Sequence, residues 1–388
     1  MPVLIAKLDI RYNPPYPILA VRGGTAEQYI KQKKYSRIVG MSHTPYDRSA
    51  PKEYCKPEGE HGPAEPDGHI NPSGSNVELL LCPSETSDKR YKRKKISTHI
   101  PPRRLAFCGG GIRCVAHVGV LKSLKANGLL TCVKEVTGIS AGAFFAILYV
   151  LEYTVEQMER LATEMDFSSL GTIDPEDILL FPLTFGLNSG EGIERLIASI
   201  LKQKGFSADV TLAQLDQAVN TKFRCYATEL QTTKIKEMSA RATPDMKVIT
   251  AVRASMSFPL MFSPVKDGDA LLVDGGLLHN MPLVFLTEEE IQETLCVFFA
   301  VKPRVVSEAV EEVLDFVKYL YEAAIDMRNR PYLKKYRDRL IIVNTDDFNG
   351  LNFSETKDKR AGLIDMAYKT TDEFLAYRRR PGRRFSVS

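Results

Sequence analysis

The sequence predicts an α/β fold with parallel strands and crossover helices, on the evidence of two consecutive stretches. Residues 103–128 read as a short apolar strand (RRLAFC), a glycine loop (GGGIR) and a helix. In that helix Val115, Val118, Leu121 and Leu124 recur at helical spacing, and Gly128 stands where a C-terminal cap belongs. Residues 133–152 repeat the pattern as a strand (VKEVTG), a sharp turn and a strongly apolar helix (ISAGAFFAILYVLEY). Such alternation calls for crossover connections and therefore parallel strands.

Further elements follow in order. VEQMERLATEM, GIERLIASILKQ and MKVITAVRASM read as helices, and KFRCYATEL with KIKEMSA as a hairpin. ALLVDGG, TLCVFFAV and RLIIVNT read as buried strands, and VSEAVEEVLDFVKYLYEAAIDM and KRAGLIDMAYKTTDEFLAY as long helices. The segment IDPEDILLFPLTFGLNSG (173–190) has no strict period and mixes apolar residues with Pro and Gly. It suits either a mobile lid or a buried connector.

Three regions result. Residues 1–100 are rich in Pro, Gly, Ser and charge and are expected to be a largely irregular extension. The extension ends in a basic cluster of Lys89, Arg90, Lys92, Arg93, Lys94 and Lys95, which fits a solvated linker or attraction to anionic lipid or another polyanion. Residues 101–300 form the expected catalytic core. Residues 301–388 add a strand, helices and a basic tail, YRRRPGRRFSVS.

Composition narrows the function. The chain has 388 residues, 44% hydrophobic and 26% charged, enough for a sizeable core. A net charge of +4 is too small to argue for nucleic acid. The seven Cys form no CxxC pair, which argues against a disulfide framework or structural zinc. No basic stretch followed by a long apolar run opens the chain, and the run Ala141–Leu151 is about half a bilayer span. A cytoplasmic or peripheral-membrane protein is expected.

Two motifs carry chemistry. GGGIR matches neither a P-loop nor a dinucleotide fingerprint. At a helix N-terminus it fits an oxyanion hole, in which backbone N–H groups face developing negative charge, or a tight turn alone. Gly138-Ile139-Ser140-Ala141-Gly142 is G-x-S-x-G between a strand and a helix, the context of a nucleophile elbow. Ser140 then needs a base. Of the six His, 43, 61, 69 and 99 lie in the extension, His117 reads as a structural residue, and His279 stands too near Asp274 for both to serve one Ser. Asp274 ends the strand ALLVDGG beside two glycines and suits a direct base, or a turn Asp.

GGGIR, GISAG, RASMSFPLMFSP and VDGGLLHNMP occur in an order that resembles the patatin-like phospholipase family, over residues of about 103–285. The resemblance implies a three-layer α/β/α fold with a mostly parallel central sheet. It implies a Ser–Asp dyad cleaving carboxylic esters of phospholipids, of the phospholipase A type, through an acyl-serine, with no cofactor and no metal. Carried over, Ser140 is the nucleophile, Asp274 the base, Gly109, Gly110 and Gly111 the oxyanion donors, and Arg113 the support of their loop. Cys114 stands where Gly often follows the Arg, Ser257 where Ala is usual, and His279 precedes Asn280, departures that bear on pocket shape. The implied partners are a phospholipid membrane surface and a protein activator, with no nucleic acid. A secreted effector or viral protein without a signal peptide also fits. The rivals are a soluble carboxylesterase or thioesterase on the same dyad, and a catalytically silent lipid-binding scaffold.

Overall fold

The computed structural model describes residues 101–300, 313–346 and 348–379, all within one unit, Arg90–Ser388. The N-terminal extension with its basic cluster, the four His within it, and the tail beyond Arg379 lie outside the described residues.

In chain order the elements are β1 (Arg104–Phe107), α1 (Ala116–Ala126), β2 (Glu135–Ile139), α2 (Ala141–Val150), α3 (Val155–Glu164), α4 (Pro175–Thr184), β3 (Gly186–Asn188), α5 (Glu191–Gln203), α6 (Leu212–Ala218), β4 (Lys222–Glu229), β5 (Lys234–Ser239), α7 (Val248–Ser255), β6 (Leu260–Phe262), β7 (Val265–Asp267), β8 (Ala270–Asp274), α8 (Glu288–Gln292), β9 (Thr294–Ala300), α9 (Val313–Lys335), β10 (Leu340–Asn344) and α10 (Lys357–Arg379). Local chemistry sets several starts. Thr154 with Gln157, Thr211 with Gln214 and Thr287 with Glu290 form reciprocal capping boxes at α3, α6 and α8. Gly128, at φ 68, ends α1 in the left-handed conformation that favours glycine.

The main sheet runs β10-β9-β1-β2-β4-β8-β7, with β5 also paired to β4. β10, β9, β1, β2 and β4 are parallel; β5, β8 and β7 join antiparallel, which gives a mixed sheet. Helices cover both faces, so the fold is a three-layer α/β/α arrangement, as expected from the sequence. β2 is buried at every position, and in α2 Gly142 to Leu148 are buried, in keeping with their unbroken apolar composition. α10 packs along α1 and α3.

Register brings the chemistry together. Phe107 lies beside Gly138, so the glycine loop and the Ser140 turn leave the sheet at one level. Ile139 lies beside Tyr226 on β4, and Ala227, the next residue of β4, lies beside Asp274 on β8. One strand therefore separates the nucleophile from the candidate base.

Residues 173–190 fold as α4 followed by β3, which pairs with β6 in a small parallel sheet. None of the α4 residues is buried, so this helix is no buried connector, whereas Gly186 and Gly190 after it are buried. Arg253 on α7 holds this region: its guanidinium donates to Ser189 O (2.8 Å), Ser263 O (2.9 Å) and Ser257 Oγ (2.5 Å).

Candidate active site

Ser140 sits at φ 55 and ψ −136, a left-handed conformation that is strained for a residue with a Cβ. Its neighbours make the turn possible. A Cβ on Gly138 would lie 2.5 Å from the Ala143 backbone, and one on Gly142 would lie 2.5 Å from Cys108 O. The Ser140 N–H donates to Ser255 Oγ (3.0 Å), whose own hydroxyl donates to Tyr226 O (2.7 Å). The turn is thus tied through Ser255 to β4, and Ser140 is left at the N-terminus of α2, where the helix dipole favours negative charge.

Asp274 is buried at the end of β8. Its N–H donates to Ser257 O at 2.9 Å, and its Oδ1 accepts from the Gly276 N–H at 2.8 Å and, at 3.5 Å, from the Tyr321 hydroxyl. Oδ2 is buried with no hydrogen bond of ordinary geometry to the described residues. Burial pushes the carboxyl up from 3.8 to about 6, against the opposing pull of the Ser140 hydroxyl, the Gly276 N–H and Tyr321. The result is a carboxylate poised near neutrality beside a serine.

The glycine loop is pinned on several sides. His117 Nε2 lies 3.0 Å from Cys108 O. Burial lowers the His117 pKa to about 3, so the ring is neutral, and Nε2 must carry the proton that it donates to this carbonyl. The Gly109 N–H donates to Asn280 Oδ1 at 2.8 Å, and Asn280 Nδ2 donates back to Gly109 O at 3.0 Å. The Ile112 N–H reaches Gly350 O (2.9 Å), and the Arg113 N–H reaches Gly110 O (3.2 Å). Gly111, at φ 57, has no room for a Cβ, which would lie 1.9 Å from Gly350 O. The N–H groups of Gly110 and Gly111 make no hydrogen bond to any described residue, whereas that of Gly109 is held by Asn280. The Arg113 guanidinium pairs with Glu322 at 2.7 Å.

The structure therefore gathers Ser140, Asp274, the three glycines and Arg113 at one edge of the sheet. His279 packs against Phe285 and Tyr332, and its Nδ1 is buried without a hydrogen bond to any described residue. The unusual residues are packed beneath the site: Cys114 donates from its buried thiol to Cys108 O (3.6 Å), and Ser257 bridges Arg253 and Asp274. Sequence reasoning misses Ser255, Asn280, Tyr321, Glu322 and Gly350. Of these, Ser255 and Asn280 stand inside recognised motifs, RASMSFPLMFSP and VDGGLLHNMP.

Among the described residues no group of His, Cys, Asp or Glu is arranged to hold a metal ion, and no helix is long and apolar enough to cross a membrane.

The fold is thus a three-layer α/β/α arrangement with a strand-to-helix turn at Ser140. The patatin-like phospholipase family model matches residues 105–286. Residues 105–286 thus form a patatin-like phospholipase domain, the mark of a lipid hydrolase. The Bacillus subtilis protein YqhO, itself uncharacterized, is 28% identical over 69% of this chain and 96% of its own length. Human patatin-like phospholipase domain-containing protein 6 is 30% identical over 46% of this chain, which spans only 12% of that protein. Among solved structures, VipD from Legionella pneumophila superposes with a TM-score of 0.50 at 16% identity, over 72% of this chain and 67% of that one, a likeness of fold.

Proposed function

We propose that the protein is a serine acyl hydrolase of the phospholipase A type, working through a Ser140–Asp274 dyad. The observation that carries this reading is the strained Ser140 turn facing a buried carboxyl whose pKa is raised to about 6. Ser140 Oγ attacks the ester carbonyl carbon while Asp274 takes its proton. The oxyanion accepts hydrogen bonds from the N–H groups of Gly110 and Gly111, with Gly109 and Arg113 holding their loop. Donors of this kind are each worth about 10²–10³ in rate. The ester C–O bond then breaks, and Asp274 returns the proton to the leaving alcohol, a lysophospholipid. Water attacks the acyl-Ser140 with Asp274 again as base, releasing the fatty acid and restoring the serine. The scheme uses no cofactor and no metal. Its substrate lies in a phospholipid membrane surface, a protein activator is compatible with it, and nucleic acid has no part.

Fatty-acid release from mixed phospholipid vesicles, with and without cell extract, tests the reading. Ser140→Ala and Asp274→Asn should each lose several orders of magnitude in rate while His279→Ala stays active. Release only from soluble esters would point to a carboxylesterase or thioesterase, and no release from any ester to a lipid-binding scaffold. A deep loss in His279→Ala would replace the dyad with a triad.

A further inference from the structure

Tyr321 and Glu322 are consecutive residues of α9, and each meets a different half of the site. The Tyr321 hydroxyl donates to Asp274 Oδ1 at 3.5 Å, and Glu322 Oε1 accepts from Arg113 Nη2 at 2.7 Å. Neighbouring residues of an α-helix point about 100° apart. A helix touches two groups in this way only when it lies across the gap between them. The Tyr321 ring rests on Phe258 (4.7 Å between centroids). Its hydroxyl fills the space that the second glycine of ALLVDGG leaves open: a Cβ on Gly276 would lie 2.4 Å from it.

We propose that Tyr321 is a positioning residue for the base, its hydroxyl holding the Asp274 carboxylate turned toward Ser140, while Glu322 ties the same helix to the oxyanion loop through Arg113. The proposal rests on the dyad reading above and adds to it a third support, outside residues 105–286.

The chemistry follows from the surroundings of Asp274. Burial and the carboxylate itself push the Tyr321 phenol well above its ordinary value, so it stays protonated and acts as a donor. A donor favours the ionised carboxylate and counters the effect of burial. The other groups facing Asp274 are the Ser140 hydroxyl, the Gly276 N–H and, more remotely, the Cys114 thiol. The Arg113–Glu322 pair closes the neighbouring loop, and His279 is turned to Phe285, Tyr332 and Arg328. Of the donors to Asp274, Tyr321 alone can be removed by a change that touches neither the nucleophile nor the backbone.

The test is Tyr321→Phe in the full chain, read as the pH dependence of kcat/KM on a soluble short-chain ester. In parallel, the Asp274 carboxyl is titrated by carbon-13 NMR in a Ser140→Ala background. The acid limb and the carboxyl midpoint should both rise by about half to one pH unit, and kcat on the alkaline plateau should fall several-fold as the carboxylate loses this hold. Glu322→Gln should lower kcat without raising the midpoint. If Tyr321→Phe does not fold, Phe258→Leu, which removes the ring on which Tyr321 rests, should raise the midpoint instead. An unmoved midpoint in the folded variant overturns the proposal. Hydrolysis surviving in Ser140→Ala would instead overturn the dyad and leave the carboxyl titration to judge Tyr321.

Discussion

Asn280 grips Gly109 from both sides, accepting from its N–H at 2.8 Å and donating to its carbonyl at 3.0 Å. A side-chain amide here does what a neighbouring strand does for backbone, and it locks the start of the glycine loop to the segment that follows Asp274. Asn280→Ala should therefore let the loop drift, lowering kcat by about 10–100-fold with little change in KM, because a misplaced oxyanion donor acts on the transition state. Steady-state kinetics on a soluble ester decides. A raised KM with unchanged kcat would mean that Asn280 binds substrate.

The raised carboxyl of Asp274 has a price in stability. Folding lifts it from 3.8 to about 6, so the folded state holds this proton more tightly than the unfolded chain. The protein feels no penalty from this group below pH 3.8, and the penalty grows as pH rises through about 6, to a limit of about 3 kcal/mol. Asp274→Asn should raise stability at pH 7.5 by about 1–3 kcal/mol and leave it nearly unchanged at pH 4. Denaturant melts at both pH values test this, and an equal gain at both would place its origin elsewhere. In the parent enzyme, kcat/KM should fall as pH drops below about 6.

Ser140 holds a left-handed backbone at φ 55. Ser140→Gly relieves that strain, so it should abolish hydrolysis and raise stability by about 1 kcal/mol, the strain released less the greater chain entropy of glycine. Urea unfolding measures the difference. A destabilised glycine variant would show that contacts of the serine side chain outweigh the strain.

On α4, Leu179 is 68% exposed and Leu183 71%, with Ile178 and Leu180 also open to solvent. An apolar helix with no buried residue fits contact with lipid. Leu179→Ser with Leu183→Ser should cut hydrolysis of vesicles about tenfold or more, from lost apolar contact, and spare a soluble ester. Equal loss on both substrates would give α4 a role in the fold.

What the sequence reveals of this site depends on how local each signal is. The glycine loop, the Ser140 turn and the Asp274 strand are legible because each is a short motif beside an apolar strand, and the β1–β2 register needs no information beyond their two strand–helix units. Tyr321 and Glu322 are not legible. They meet Asp274 and Arg113 across 47 and 209 residues, and nothing in an ordinary amphipathic helix marks which turn will face a site. Gly350 is hidden for the same reason. The helix over 175–184 escapes notice because Pro182 lies inside it and its apolar side chains face outward, leaving no buried period to detect.

The strand order has a consequence for how small this enzyme can be made. β9 lies against β1, and β10 against β9, yet both come after residue 286, where the family match stops. A fragment ending there would strip β1 of one neighbour and turn the strand that feeds the glycine loop into an open sheet edge, with Leu105 and Phe107 uncovered on its flanks. Such an edge templates pairing with other chains. The fragment should therefore form aggregates, and a fragment that keeps β1 flanked runs on at least through β9, to Ala300.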